Sequence, residues 1–210
     1  NAETEQQAKR VKDYLNYLIL DRMDEYDSET DQMLFYLPLS GMTFKKLYFD
    51  QAKQRPVARF VPAQDVVVPY SATDLRSAPR ITHVLKMTDN EVRKMQVSGF
   101  YRDVDLTDDG DEEVNEVRSK VDELQGTSRT SYTDDTRTVL EMHVELDLDG
   151  FEDMGMDGEP TGIKLPYIVS IDRSSNTILA IRRNYAEADP TREAIPYFVP
   201  YKFLPGLGFY

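Results

Sequence analysis

The chain contains no cysteine and only two histidines in 210 residues. The lack of cysteine excludes a disulfide framework, a thiolate metal site and a cysteine nucleophile. Two histidines leave little room for a histidine-rich metal site. No apolar run approaches the roughly 20 residues that a membrane-spanning helix needs, and no signal peptide is visible. We therefore expect neither a cofactor nor a membrane partner.

Basic residues are also scarce, because 25 lysines and arginines stand against 38 aspartates and glutamates, for a net charge of −13. An acidic protein repels phosphate groups, so nucleic-acid binding through counterion release is disfavoured. The acids are concentrated: residues 102–123 hold ten acids against three bases, and residues 145–159 hold seven acids and no base. We interpret both stretches as solvated loops and a solvated helix face.

Catalytic motifs are missing too. The sequence has no phosphate-binding loop, no dinucleotide fingerprint, no HExxH and no nucleophile elbow. His83 and His143 each fall on a predicted strand, and no serine or aspartate spacing marks either one as a triad member. We interpret both as structural or solvated, and we predict that the chain is not an enzyme. A hydrolase that pairs one of them with carboxylates is the alternative with the least support.

Helices are predicted at the N-terminus, over residues 3–23 and from Ser28 to a stop at Gly41. A short helix is predicted to start at a capping box formed by Thr88 and Glu91. An acidic helix is predicted over residues 111–124. The first helix carries an apolar stripe at i, i+3, i+4, i+7 spacing, formed by Val11, Tyr14, Leu15 and Leu18.

Strand patterns fill most of the remainder, and the clearest one alternates apolar and polar residues over positions 139–148. The last three predicted strands are expected to form an antiparallel meander. Helices that precede a run of strands indicate an α+β fold: an N-terminal helical hairpin followed by a mostly antiparallel sheet with a helical insert. The predicted strands are residues 44–49, 55–60, 65–70, 81–87, 139–148, 167–171, 177–182 and 197–203.

We expect three parts along the chain. Residues 1–2 are interpreted as the remnant of a cleaved tag, and residues 3–42 as a helical segment. Residues 43–210 are expected to form one α+β domain, with an acidic helical insert at about 88–136. Residues 196–210 are rich in aromatic side chains, whereas natural termini are usually polar. We therefore expect the chain to be a segment of a larger protein.

The exposed part of this aromatic stretch is expected to be a contact surface, since side chains of this kind cost free energy when they are left in water. Its predicted members are Tyr201, Phe203, Leu207, Phe209 and Tyr210.

One acidic stretch is similar to a calcium-binding loop. Asp105, Asp109 and Glu116 fall at template positions one, five and twelve, with Gly110 at position six. The match fails at position three, where Thr107 replaces an acid. An acidic turn at the N-terminus of the following helix explains the same residues through the helix dipole. An acidic calcium-binding interaction module is therefore the alternative function.

Five strings of sequence lie between residue 78 and the end of the chain. They are APRITHVLKM at 78–87, NEVRKMQ at 90–96 with SGFY at 98–101, GEPTGIKLPY at 158–167 and YKFLPGLGFY at 201–210. These strings resemble the portal, or head-to-tail connector, proteins of tailed double-stranded DNA bacteriophages of the large short-tailed type. The resemblance runs from about Ala8 to the end of the chain.

The resemblance implies a structural part rather than a whole protein. Such portals are rings of about twelve subunits at one capsid vertex, through which DNA is packaged and ejected. This chain is similar to the outward-projecting wing of one subunit, made in the bacterial cytoplasm and located in the virion. The implied partners are other portal subunits and capsid or scaffold protein. DNA passes through the assembled channel, but this acidic segment is not expected to bind it.

Overall fold

The computed structural model describes residues 2–50, 53–106, 136–155 and 157–203. Within these ranges the chain has an α+β fold, in which an N-terminal helical region precedes antiparallel sheets. The helices are α1 (Ala2–Tyr17), α2 (Tyr26–Ser40) and α3 (Asp89–Val97). The strands are β1 (Met42–Asp50), β2 (Arg55–Pro62), β3 (Val66–Val67), β4 (Arg80–Thr88), β5 (Thr136–Leu146), β6 (Leu165–Asp172), β7 (Thr177–Arg183) and β8 (Phe198–Lys202).

The N-terminal helices follow the predicted order with different bounds. Helix α1 continues into a π-helical turn, Leu18–Arg22, so the predicted first helix is two consecutive helical pieces. Helix α2 begins at Tyr26, and the predicted start at Ser28 is wrong, because the Ser28 hydroxyl donates back to the Glu25 carbonyl. The helix ends as predicted at Gly41, which has φ +74°. No helix in the described ranges is both long and apolar enough to cross a membrane.

The first sheet has three strands in the order β2-β1-β8, all antiparallel. The prediction that the last strand joins a meander with its two predecessors is wrong, since β8 pairs with β1 from Met42↔Lys202 to Lys46↔Phe198. Hydrogen bonds from Leu47 to Tyr197 and from Phe203 to Gly41 extend this pairing beyond both ends of β8. The end of the described chain therefore closes the sheet that its N-terminal part begins.

The second sheet has the order β3-β4-β5-β6-β7. Strand β3 is much shorter than the strand predicted over residues 65–70, and Pro69, which cannot donate to a ladder, lies just beyond it. The predicted capping box at the start of α3 is confirmed, because the Thr88 side chain accepts from the Glu91 amide and the Glu91 side chain accepts from the Thr88 amide.

Each face of the second sheet carries a core, and β5 contributes side chains to both. One face forms a core of Leu165, Tyr167 and Val169, with Met142 and Val144 packed against it. The opposite core is larger and includes side chains from α3 and the segment that follows it. Its buried members are Val92, Tyr101, Val139, Leu179 and Ala180.

The chain divides into two compact units. The first comprises residues 1–66, 70–78 and 195–210, and the second comprises residues 67–69 and 79–194. The boundary predicted at residue 43 falls inside the first unit, because α2 packs on β1 and β2. Helix α3 is the described part of the predicted insert. The predicted helix at 111–124 lies outside the described residues.

Candidate interaction surface

The predicted contact surface starts on β8, which is an edge strand of the first sheet. Val199, Tyr201 and Phe203 alternate along it and are 38%, 36% and 53% exposed, whereas Phe198 is buried. Pro200 lies on this edge strand, where a missing amide hydrogen is tolerated. The exposed side chains form a short apolar row that is accessible to a partner protein. Contact between this row and a partner stays a prediction. The remaining predicted members, Leu207, Phe209 and Tyr210, lie outside the described residues.

An ion pair fastens the start of α2 to the first sheet. Arg55, at the start of β2, donates from Nη1 to Glu25 Oε1 at 2.8 Å and from Nη2 to Glu25 Oε2 at 2.7 Å. The hydrogen bond between them lowers the pKa of Glu25 and raises the pKa of Arg55. Both side chains are largely buried. This two-pronged contact fixes the turn between the π-helical segment and α2.

Two further polar contacts hold the next turn of α2. Glu29 Oε2 accepts a hydrogen bond from the Phe60 amide at 2.6 Å. Lys45 Nζ donates to Thr30 Oγ1 at 2.6 Å and lies 4.2 Å from the centre of the Tyr26 ring. Burial lowers the pKa of Lys45. Together with the ion pair, these contacts set the rotation of α2 about its own axis.

This rotation leaves an apolar face of α2 exposed. Leu34, Phe35 and Leu39 are 56%, 68% and 71% exposed, while Met33 is buried on the opposite side. This exposed face was not predicted from the sequence. The sequence does contain a signal for it, because the second half of the helix is apolar on every side. A helix that packs on a sheet with one side needs apolar residues on that side only.

Helix α1 exposes its apolar stripe as well. Every described side chain from Glu3 to Tyr17 is exposed, and α1 packs mainly against the π-helical turn that continues it. Val11, Tyr14 and Leu15 are about half exposed. The sequence periodicity predicted the stripe correctly. Within the described residues, its side chains are not buried against another element.

We expect the Arg55→Ala substitution to lower the melting temperature of the first unit by several degrees, because it leaves Glu25 partly buried without its cation. The lowered Glu25 pKa means that this stabilisation is present above the ordinary value of 4.5 and is lost as the pH falls through the lower folded value. The deficit of the variant should therefore shrink in acid. Thermal melts followed by circular dichroism check this, with Arg59→Ala, an exposed arginine on the same strand, as control. Equal melting temperatures for both variants would contradict it.

The second unit contains an open groove between α3 and the segment after it, with a cavity volume of about 460 Å³. Asp105 from the predicted calcium loop lines this groove and is exposed. Two other acids of the groove already pair with arginines: Asp89 with Arg137 at 2.6 Å, and Asp103 with Arg93. Asp109 and Glu116 lie outside the described residues. Among the described residues, no group of three or more histidines, aspartates or glutamates is placed to hold a metal ion.

The two histidines lie on one face of the second sheet and are both buried. His143 Nε2 is 2.8 Å from Glu141 Oε1, and His83 is the cross-strand partner of Glu141. His143 alternates with the apolar residues of β5 and therefore lies on the polar face of its strand. That face is nevertheless covered, because Val139 and Tyr101 form a core on the same side.

The order of groups across the strands does not match a hydrolytic triad. His83, Glu141 and Ser170 are aligned on three neighbouring strands, with the carboxylate in the middle. A serine triad needs the histidine between the acid and the serine, so that the imidazole can take the serine proton. Both His83 and Ser170 are also less than a tenth exposed. The geometry favours a structural role for this polar cluster.

Tyr101 belongs to the same cluster, and the titration of its hydroxyl measures how strongly this side chain is buried. Burial, with the nearby Glu141 charge, raises its pKa to about 12 from the ordinary value of 10.0. The neutral form stabilises the fold below pH 10, and roughly 2–3 kcal/mol is lost as the pH rises from 10 to 12. We expect the absorbance change of wild type minus Tyr101→Phe to show one tyrosine that titrates near 12. A difference titration centred near 10 would contradict the burial.

The fold and these surfaces define an α+β protein whose exposed features are two apolar helix faces and an apolar strand edge. No protein-family model matches the chain, and no curated protein matches it. The resemblance to portal proteins therefore depends on the sequence strings given above.

Proposed function

We propose that this chain is a non-catalytic structural segment of a bacteriophage portal subunit, in the wing region of the ring at one capsid vertex. Its role is to contact neighbouring subunits and capsid or scaffold protein. The observation that supports this most is the large set of exposed apolar side chains on α1, α2 and β8 of the first unit. Apolar surface of this extent is typical of a protein that is buried in an assembly.

The buried polar groups of the second unit support a structural role. The His143–Glu141 pair lies beneath a packed core, and the groove beside α3 is lined by acids that arginines already engage. Neither arrangement provides an accessible nucleophile next to a base.

The charge supports the role of a conduit component that does not adhere to DNA. A net charge of −13 makes phosphate contacts unfavourable, so DNA passing through the assembled ring is not retained by this segment. We expect no measurable binding of the purified chain to duplex DNA in fluorescence anisotropy at physiological salt. Binding that weakens steeply with added salt would contradict this part of the proposal.

Virion location can be tested on particles from the source organism. Phage particles are induced, purified on a density gradient and digested for mass spectrometry. The proposal predicts that peptides of this chain sediment with the major capsid protein, at a low and fixed ratio to it. Peptides that stay in the soluble fraction while capsid protein sediments would contradict the proposal.

A further inference from the structure

Two exposed helix faces of the first unit share one pattern. Positions 11, 14, 15 and 18 of the N-terminal helical region have the same mutual spacing as positions 31, 34, 35 and 38 of α2. In the N-terminal helical region these positions carry Val11, Tyr14, Leu15 and the half-buried Leu18, and in α2 they carry Asp31, Leu34, Phe35 and Pro38, all four exposed. Two helices with matching spacing can pack side by side over several turns.

The charges on the two faces are complementary. Arg10 and Lys12 flank the α1 stripe on either side of Val11, and both are exposed. Asp27 and Asp31 lie on the outward face of α2. Asp27 is two turns and Asp31 is one turn before the exposed Leu34 and Phe35. If the helices run parallel with position 11 beside position 31, Arg10 and Lys12 lie level with Asp31, and Arg10 lies within about one turn of Asp27. Leu34 and Phe35 then meet Tyr14 and Leu15, and Glu3 and Glu5 lie level with positions 23 and 25, before α2 begins. Long basic side chains beside an apolar stripe can lie over it and reach such acids.

The same chain cannot make this parallel contact with its own helix. Only Met23–Glu25 separate the π-helical turn from α2, so α1 could fold back on its own α2 in the antiparallel direction alone. Antiparallel packing would place Arg10 and Lys12 against the apolar end of α2, and the match of charges would be lost. A parallel contact therefore requires the α2 of another molecule.

We propose that the apolar stripe of α1 packs in parallel on the outward face of α2 of a second copy of this chain. The contact is heterologous, because it joins two different surfaces. After one such contact the first molecule keeps a free α2 and the second keeps a free α1 for further copies, unless the two molecules exchange their α1 helices. The proposal rests on the spacing and charges of these two helices and does not need the portal assignment.

Charge exchange tests the contact in the full 210-residue chain. Sedimentation velocity over a wide range of concentration should show reversible self-association of the wild type. We expect Arg10→Glu with Lys12→Glu, and separately Asp27→Lys with Asp31→Lys, to weaken association by about tenfold or more. All four substitutions in one chain should restore most of the affinity. Lys9→Glu is the matched control, because Lys9 lies on the opposite face of α1, and it should change the affinity little.

Three outcomes would overturn the proposal. A wild type that stays monomeric at every concentration would overturn the proposal. So would an equal loss for Lys9→Glu, or a fourfold variant that associates no better than either double variant. Circular dichroism of each variant confirms that the exposed substitutions leave the fold intact.

The direction of packing can be tested by disulfide formation, because the chain has no cysteine of its own. Leu15→Cys protein is mixed with Phe35→Cys protein and oxidised gently. Parallel packing predicts crosslinked pairs that contain one molecule of each variant. Crosslinks only between two Leu15→Cys molecules would indicate pairing of α1 with α1 and overturn the proposal. A doubly substituted chain that closes within one monomer would overturn it as well.

The outcome is separable from that of the proposed function. Absence of this helix contact would leave the sedimentation of the chain's peptides with capsid protein unchanged, whereas self-association of the chain would persist even if its peptides were absent from phage particles.

Discussion

Replacing Leu179 by alanine should lower the free energy of unfolding of the second unit by about 3–4 kcal/mol. Leu179 is fully buried in the core that joins the second sheet to Val92 of α3 and to Tyr101. It is also the extra residue of a β-bulge, since Ile178 and Ala180 pair with Ile171 and Ser170 and leave it between them. The bulge turns Leu179 and Ala180 into the same core.

The cost should be near the upper part of the range for this substitution, because the surroundings of Leu179 are fixed. Its carbonyl accepts a hydrogen bond from the Arg102 amide at 2.8 Å, which holds the segment after α3 against β7. A cavity at this position cannot close by a shift of that segment without breaking the bond.

Urea unfolding followed by far-ultraviolet circular dichroism measures the effect. Ile181→Ala on the same strand is the control, because Ile181 is 45% exposed, and it should cost about 1 kcal/mol or less. Equal losses for both variants would show that Leu179 is not a core residue.

Asp172→Ala should cost the second unit about 3 kcal/mol, because one fully buried carboxylate organises the turn between β6 and β7. Its Oδ2 accepts hydrogen bonds from Ser174 Oγ at 2.8 Å, Ser175 N at 2.9 Å and Ser175 Oγ at 2.6 Å. Arg137 Nη1 lies 3.8 Å from the same oxygen. The alanine substitution removes the carboxylate that accepts these three hydrogen bonds. It also leaves the buried Arg137 cation without one of its anions.

The pH dependence of this effect follows from the direction of the Asp172 pKa. Burial alone would raise it, but the hydrogen bonds from Ser175 and Ser174 and the charge of Arg137 outweigh burial, so the pKa lies below 3.8. The stabilisation is therefore present above pH 3.8 and is lost as the pH falls through the lower folded value. Wild type and variant should converge in stability in strong acid.

The control for Asp172→Ala is Asp74→Ala. Asp74 also accepts a hydrogen bond from the amide three residues ahead, that of Ser77 at 2.8 Å, but its side chain is exposed. Asp74 belongs to the first unit, and we expect this variant to lower the free energy of unfolding of that unit by much less. Equal losses in the free energy of unfolding for the two variants would show that neither the burial of Asp172 nor the charge of Arg137 contributes to the effect.

Local chemistry made much of the fold predictable. The capping box of α3, the left-handed Gly41 and the alternation in β5 each depend on residues close in sequence, so the pattern alone indicates them. The turn at Ser174-Ser175-Asn176 also follows from local turn chemistry, although the role of Asp172 within it does not. Its contacts depend on β5, which lies far away along the chain.

Long-range pairing accounts for most of what the sequence did not reveal. Strand β8 has the alternation of any strand, and nothing local distinguishes β1 from β7 as its partner. The burial of Glu141 and His143 was missed for a similar reason, because α3 and Tyr101 cover a face that looks polar in sequence. The outward face of α2 was missed because its orientation is set by Arg55 and Lys45 on other elements.

The most direct test of the portal assignment is negative-stain electron microscopy of the protein expressed from the complete open reading frame that encodes this chain. The account predicts closed rings with a central channel, in which antibodies against this chain label the outer rim. Monomers or irregular aggregates in place of rings would contradict it.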